Sequence, residues 1–135
     1  LTLFISCLLS STALAEKLII GTSSFNPPME IQATKNQVFT GFEIDLLNEI
    51  CRRINATCSY QPMTFEGIMQ AVATGDVDLG IDGFFITKDR LNYYLFSHPY
   101  LQAKAQLLST VDANITNANI NTGKRIAVEA GTVYK

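Results

Sequence analysis

In the stretch GIDGFFITKDR, residues 80–90, an apolar run meets Thr87, a residue of the kind that caps a helix. Three residues on, where a capping box would place Glu or Gln, stands Arg90. A cation in a first helical turn opposes the macrodipole, which favours acids there. Arginine and helix end together would instead hold an anion. The guanidinium fork matches a carboxylate bidentately. Thr87 adds a hydroxyl, and Gly83 lets backbone amides come close to a ligand. The plainer reading of Arg90 is an ordinary solvated helix residue.

Two aromatic residues and a group of acids are the other candidates. Phe25 follows a strand end and Phe65 falls in the first turn of a helix. Facing rings there would sandwich a flat or cationic side chain; core packing is the alternative for each. Asp76, Asp78 and Asp82 suggest calcium, but an EF-hand loop needs an oxygen ligand fifth and a Glu twelfth, and Gly80 and Thr87 fall there. No metal and no cofactor is therefore expected. Asp82, beside Gly83 at a strand end, suits a ligand ammonium or guanidinium. His98 is the single histidine and lies in a loop with no Cys or Ser placed to use it. No set of nucleophile, base and orienter appears, so no enzyme activity is expected.

These residues need elements to hold them. Residues 17–22 (KLIIGT) read as a buried strand, and 23–38 as a loop containing Pro27-Pro28. Thr40 and Glu43 have capping-box spacing ahead of a helix whose apolar face is Phe42, Leu46, Leu47, Ile50, Cys51 and Ile54. Residues 57–61 alternate as a strand. Thr64 caps a second helix, with Phe65, Ile68, Met69 and Val72 at helical spacing and Gly75 at its end. Strands follow at 78–85, 105–110 and 124–129, with a short helix at 87–94 and a helix start at Gly131 and Thr132. Alternating strands and helices predict an α/β fold with a mostly parallel sheet. Such sheets bind ligands beyond the carboxyl ends of their strands.

The chain opens LTLFISCLLSSTALA, too short an apolar run to span a bilayer, for which ~20 residues are needed. Small residues at Ala13 and Ala15 fit the cleavage end of a secretory leader, so residues 1–15 are set aside as the remnant of one. The remaining cysteines, Cys51 and Cys58, are expected to pair in an exported protein. A net charge of −2 argues against a nucleic-acid partner. The last strand-to-helix unit is cut at Lys135, which predicts a truncated chain.

Taken together, GTSSFNPPME (21–30), TGFEIDLLNEICRRINATC (40–58), PMTFEGIMQAVATGDVDLGIDGFFITKDR (62–90), FSHPY (96–100) and GKRIAVEAGT (123–132) resemble the periplasmic amino-acid-binding proteins of bacterial ABC importers. These are the family-3 solute-binding proteins, and the closest likeness is to binders of arginine, lysine, ornithine and histidine. The resemblance implies a two-lobed periplasmic binding protein type II architecture. Here it is truncated to an incomplete lobe 1 at 16–101 and the hinge and start of lobe 2 at 102–135. The Cys51 to Cys58 spacing matches a disulfide of that family.

Carried over residue by residue, the resemblance gives Arg90 the ligand α-carboxylate and Asp82 and Gly83 its α-amino group. Phe65 matches a pocket aromatic, and Phe25 or Asn26 the opposing ring. Thr87 stands at the helix start, and Thr132 matches a second-lobe group that meets the carboxylate. Basic-ligand members carry an acid where this chain has Ser23, so Asp82 or Glu129 is left to supply that charge. The implied function is capture of a free polar, basic amino acid by lobe closure about a hinge near 100–104, by a monomer that delivers it to an inner-membrane permease. Two other functions share the fold: a periplasmic enzyme resembling cyclohexadienyl dehydratase, and an extracellular amino-acid sensor domain.

Overall fold

A computed structural model describes residues 16–35, 37–120 and 122–134, so the expected leader remnant at 1–15 lies outside the described residues. The chain forms two compact units that divide between Gly83 and Phe84.

In the first unit, β1 (Glu16–Thr22) leads into a small antiparallel sheet of β2 (Phe25–Asn26), β3 (Glu30–Gln32) and β4 (Phe39–Thr40). The Pro27-Pro28 peptide between β2 and β3 is cis. Helix α1 (Phe42–Arg53), strand β5 (Ala56–Pro62), helix α2 (Phe65–Thr74) and strand β6 (Leu79–Gly80) follow. β1 is the centre of a parallel sheet with β5 on one side and β6 on the other. Ile20 pairs with Tyr60 and Leu79. This central position explains the burial of the end of β1, where the apolar Leu18–Ile20 run leads into Gly21 and the polar Thr22, with Ile20, Gly21 and Thr22 all buried.

The expected α/β pattern is thus present in this unit. Helix α1 lies against β5 and the small sheet, and α2 against β1 and β6. Gly21 makes the second packing close. A Cβ there would lie 3.3 Å from both Ile68 Cγ2 and Met63 Sδ. Ile20, Leu47 and Ile81 form the core, with Leu18, Cys58 and Tyr60 against it. Each fully buried isoleucine contributes about 1.5–3 kcal/mol of transfer free energy. The Cys51–Cys58 disulfide joins α1 to β5, with Cα atoms 6.0 Å apart. Tyr60 links the same elements, its hydroxyl 2.9 Å from Asn48 Oδ1 and 3.2 Å from the Ile44 carbonyl.

The helix ends follow the sequence at α2 and depart from it at α1. Thr64 Oγ1 accepts the Gly67 amide at 3.1 Å, and Gly75 closes α2 at φ 78°. Helix α1 instead has Gly41 as its N-cap, with no side-chain cap. Its first amides, of Phe42 and Glu43, donate to the Pro28 and Met29 carbonyls at 3.0 Å. Thr40 belongs to β4 and does not cap, because backbone carbonyls already satisfy those donors. The buried face is Glu43, Ile44, Leu47 and Cys51, whereas Phe42, Ile50 and Ile54 are exposed. Leu47 and Cys51 of the expected apolar face are thus inside, and the face is rotated toward Glu43 and Ile44.

The strand expected at 78–85 is paired only at Leu79 and Gly80. Gly83, at φ 56°, turns the chain out of extended geometry. In the second unit, α3 is confined to Lys88–Leu91 and a single 3₁₀ turn spans Val111–Ala113. The strands expected at 105–110 and 124–129, and the helix start at Gly131, are absent. Leu107, Leu108 and Ile126 are exposed, and among the described residues no strand pairs with either segment. A strand forms only when a neighbour takes up its backbone groups.

Candidate functional site

β1 and β6 run parallel and end at one edge, so the loops after Thr22 and Gly80 emerge side by side. The first carries Ser23 and leads into Asn26 of β2, and the second carries Asp82. The Ser23 hydroxyl lies 2.8 Å from Glu30 Oε1 and 3.3 Å from Asp82 Oδ1. Having one proton, it donates to one acceptor at a time, and the shorter contact is to Glu30. Asn26 Nδ2 donates to Asp82 Oδ1 at 3.0 Å. From beneath, Glu43 Oε1 accepts the Gly83 amide at 3.0 Å. Glu30 and Glu43 are fully buried and Asp82 nearly so, while Ser23 and Asn26 are partly exposed.

Three carboxyl groups therefore meet in one buried place. Asp82, Glu43, Ser23 and Asn26 act on Glu30, and none of them is basic. Burial, then hydrogen bonding with Asp82 and Glu43, pushes the Glu30 carboxyl up to about 9, against smaller opposing effects of Ser23 and Asn26. Glu30 Oε2 is buried with no donor facing it. Carboxyl oxygens in contact need a shared proton or a cation between them. Among the described residues, no group of three or more His, Cys, Asp and Glu side chains is arranged to hold a metal ion.

The structure thus brings together Ser23, Asn26, Asp82 and Gly83 of the expected residues, and adds Glu30 and Glu43. Glu30 sits behind Pro27-Pro28 in what reads as a polar loop. Glu43 has the spacing of a capping acid. Its signal was position: residues 43, 47 and 51 share one helix face, so an acid there points where Leu47 and Cys51 point. The carboxyl groups beside Ser23 are those of Glu30 and Asp82.

Between Asn26 and Phe25, it is Asn26 that joins Asp82. Phe25 is 75% exposed. With Phe39, Tyr60, Gln32 and Pro62 it borders an open depression of about 500 Å³ that none of the acid-cluster residues lines. Phe65 opens α2 and is half-buried.

In the second unit, Thr87 caps α3 by accepting the Arg90 amide at 3.2 Å. The Arg90 side chain is buried. Nη1 donates to the Phe85 carbonyl and Nη2 to the Gly131 carbonyl, both at 3.0 Å, and the guanidinium lies 5.7 Å from the Phe84 ring centre. Burial lowers its pKa from the ordinary arginine value. Thr132 Oγ1 donates to the Glu129 carbonyl at 2.8 Å, closing a turn around Gly131, and Glu129 is exposed. The expected Arg90, Thr87, Glu129 and Thr132 are thus all in this unit, and Arg90 already meets two partial negative charges.

Residues 18–131 match the family described as bacterial extracellular solute-binding proteins, family 3. The chain is 32% identical over 135 residues to the arginine-binding periplasmic protein of Mannheimia haemolytica, covering all of this chain and 53% of that protein. Among solved structures, an arginine third transport system periplasmic binding protein from Legionella pneumophila is similar with TM-score 0.60 and 43% identity, over 64% of this chain and 38% of that one. The arginine-bound form of domain 1 of TmArgBP, as its Phe-to-Trp mutant, is similar with TM-score 0.59 and 34% identity, over 64% of this chain and 67% of that one. The chain spans about half the length of the curated relatives it matches.

Proposed function

We propose that this chain, which belongs to the bacterial extracellular solute-binding proteins of family 3, is part of the substrate-binding component of an amino-acid ABC importer. Its ligand is a free basic L-amino acid of the arginine kind. The observation that carries this reading is the buried acid cluster of Glu30, Glu43 and Asp82, reached past Ser23 and Asn26. A surplus of acceptors over donors suits a ligand that brings donors and positive charge, and a guanidinium supplies both. The names of the curated relatives support the same ligand class.

In this reading Asp82 and Glu30 meet the positive groups of the ligand, with Gly83 presenting backbone beside them. Arg90 takes the α-carboxylate, exchanging its backbone carbonyl partners for a full negative charge, with Thr87 three residues before it and Thr132 as a further group on the carboxylate. Phe65 and Asn26 flank the ligand. Residues 16–101 form lobe 1, 102–135 begin lobe 2, and 1–15 are a leader removed on export to the periplasm. The protein acts as a monomer, and the closed form is what the permease recognises. The Legionella pneumophila protein named above is a binding protein of a transport system, in keeping with capture rather than catalysis.

Calorimetric titration of the complete, leader-free protein with arginine, lysine, histidine, glutamine and glutamate tests this. Tight binding of arginine or lysine, lost in Arg90→Ala and weakened in Asp82→Asn, is expected. Preference for glutamine or glutamate would remove the basic-ligand reading. Silence with all five would remove the amino-acid reading.

A further inference from the structure

Resting on the reading that the ligand is a basic amino acid, we propose that its capture is a proton exchange at Glu30. The ligand cation enters where a proton is held in the unliganded protein, and that proton leaves to solvent. The balance is one protonated Glu30 carboxyl plus one cationic ligand giving one carboxylate–cation pair plus one released proton. No covalent bond other than O–H changes.

Geometry carries this. Glu30 reaches inward from β3, Asp82 from the loop after β6, and Glu43 from α1, so three elements each deliver a carboxyl to one buried place. The donors seen there are the Ser23 hydroxyl, the Asn26 amide and the Gly83 amide. The Gly83 amide is committed to Glu43, while the Asn26 amide gives one hydrogen to Asp82 and acts with the Ser23 hydroxyl on Glu30. That satisfies Oε1, while Oε2 is buried with no donor facing it. A proton on Glu30 turns that contact into a hydrogen bond to a neighbouring carboxylate. With no basic side chain among the groups acting on Glu30, the cluster stays protonated well above the ordinary carboxylate range. A guanidinium offers five donors and a full charge, so it replaces that proton completely.

The exchange links affinity to pH. Where the free protein holds the Glu30 proton and the complex does not, affinity rises about tenfold per pH unit. A cluster ionised before binding gives no such slope.

The test has two arms on the complete protein. Arginine is titrated at pH 7 in phosphate and in Tris, buffers whose ionisation heats differ widely. Different apparent heats, corresponding to release of one proton, are expected. Equal heats with clear binding overturn the exchange while leaving the basic-ligand reading standing. In the second arm, the infrared band of a protonated carboxyl is compared at pH 7 between the ligand-free protein and Glu30→Gln. A band present in the first and missing in the second is expected. Its absence from the first overturns the exchange whether or not arginine binds.

Discussion

Glu43 Oε1 accepts the Gly83 amide at 3.0 Å, tying the first turn of α1 to the loop after β6 across 40 positions of sequence. The bond fixes the turn that carries Asp82, and Gly83 makes that turn at φ 56°. Glu43 is fully buried, so this acid is held by what it positions rather than by solvent.

Removing that acceptor strands a backbone donor. Glu43→Ala is expected to lose about 1–3 kcal/mol, the usual cost of an orphaned buried polar group. Glu43→Gln keeps a carbonyl oxygen for Gly83 and loses less. Urea unfolding followed by circular dichroism measures both. Equal losses would mean that the Gly83 amide is not what Glu43 serves.

Glu30 sets a pH dependence of stability. Its carboxyl is near 4.5 when unfolded and pushed up to about 9 when folded. Between those values the folded state binds more protons than the unfolded state, so stability falls as pH rises through this window. The slope approaches about 1.4 kcal/mol per pH unit. Glu30→Gln is expected to flatten it, as read from urea midpoints at pH 5 and pH 9.

The two glycines that end one element and begin another separate strain from collision. At Gly75, φ is 78° and an added Cβ meets nothing within 4 Å, so Gly75→Ala is expected to cost about 1 kcal/mol of backbone strain. At Gly41, φ is 133° and a Cβ would fall on the Met29 carbonyl. Gly41→Ala is expected to cost about 3 kcal/mol. Comparable losses in the two variants, measured by thermal unfolding, would contradict the close approach of α1 to the Met29 backbone.

The Cys51–Cys58 disulfide closes a short loop between α1 and β5, with sequence separation 7. Replacing both cysteines by serine is expected to cost about 2 kcal/mol, the lower part of the disulfide range. Unfolding with and without reductant checks it. A protein indifferent to reductant would show that helix and strand packing alone fix this junction.

Much of the first unit was legible in the sequence. KLIIGT had the composition of a central parallel strand, and Thr64 and Gly75 marked both ends of α2 through local hydrogen bonds that need only their own neighbours. The features missed depended on distant partners. Thr40 and Glu43 had capping spacing, but the Pro28 and Met29 carbonyls, in the turn between β2 and β3, took over the cap. That freed Glu43 to turn inward and rotated the buried face of α1. Glu30 carried no local signal, because its burial comes from Asp82 and Glu43 rather than from its flanking prolines. Residues 105–110 had strand composition without a neighbour to pair with, and composition alone does not close a ladder.

The proposed function requires the complete protein to recognise positive charge on its ligand. Arginine and citrulline have nearly the same shape and differ in that charge, so a calorimetric comparison of the two on the complete protein is the direct measurement. The acid cluster predicts arginine bound at least about tenfold more tightly, the value of a charge-assisted hydrogen bond, with the gap narrowed in Asp82→Asn. Equal affinities for arginine and citrulline would contradict it.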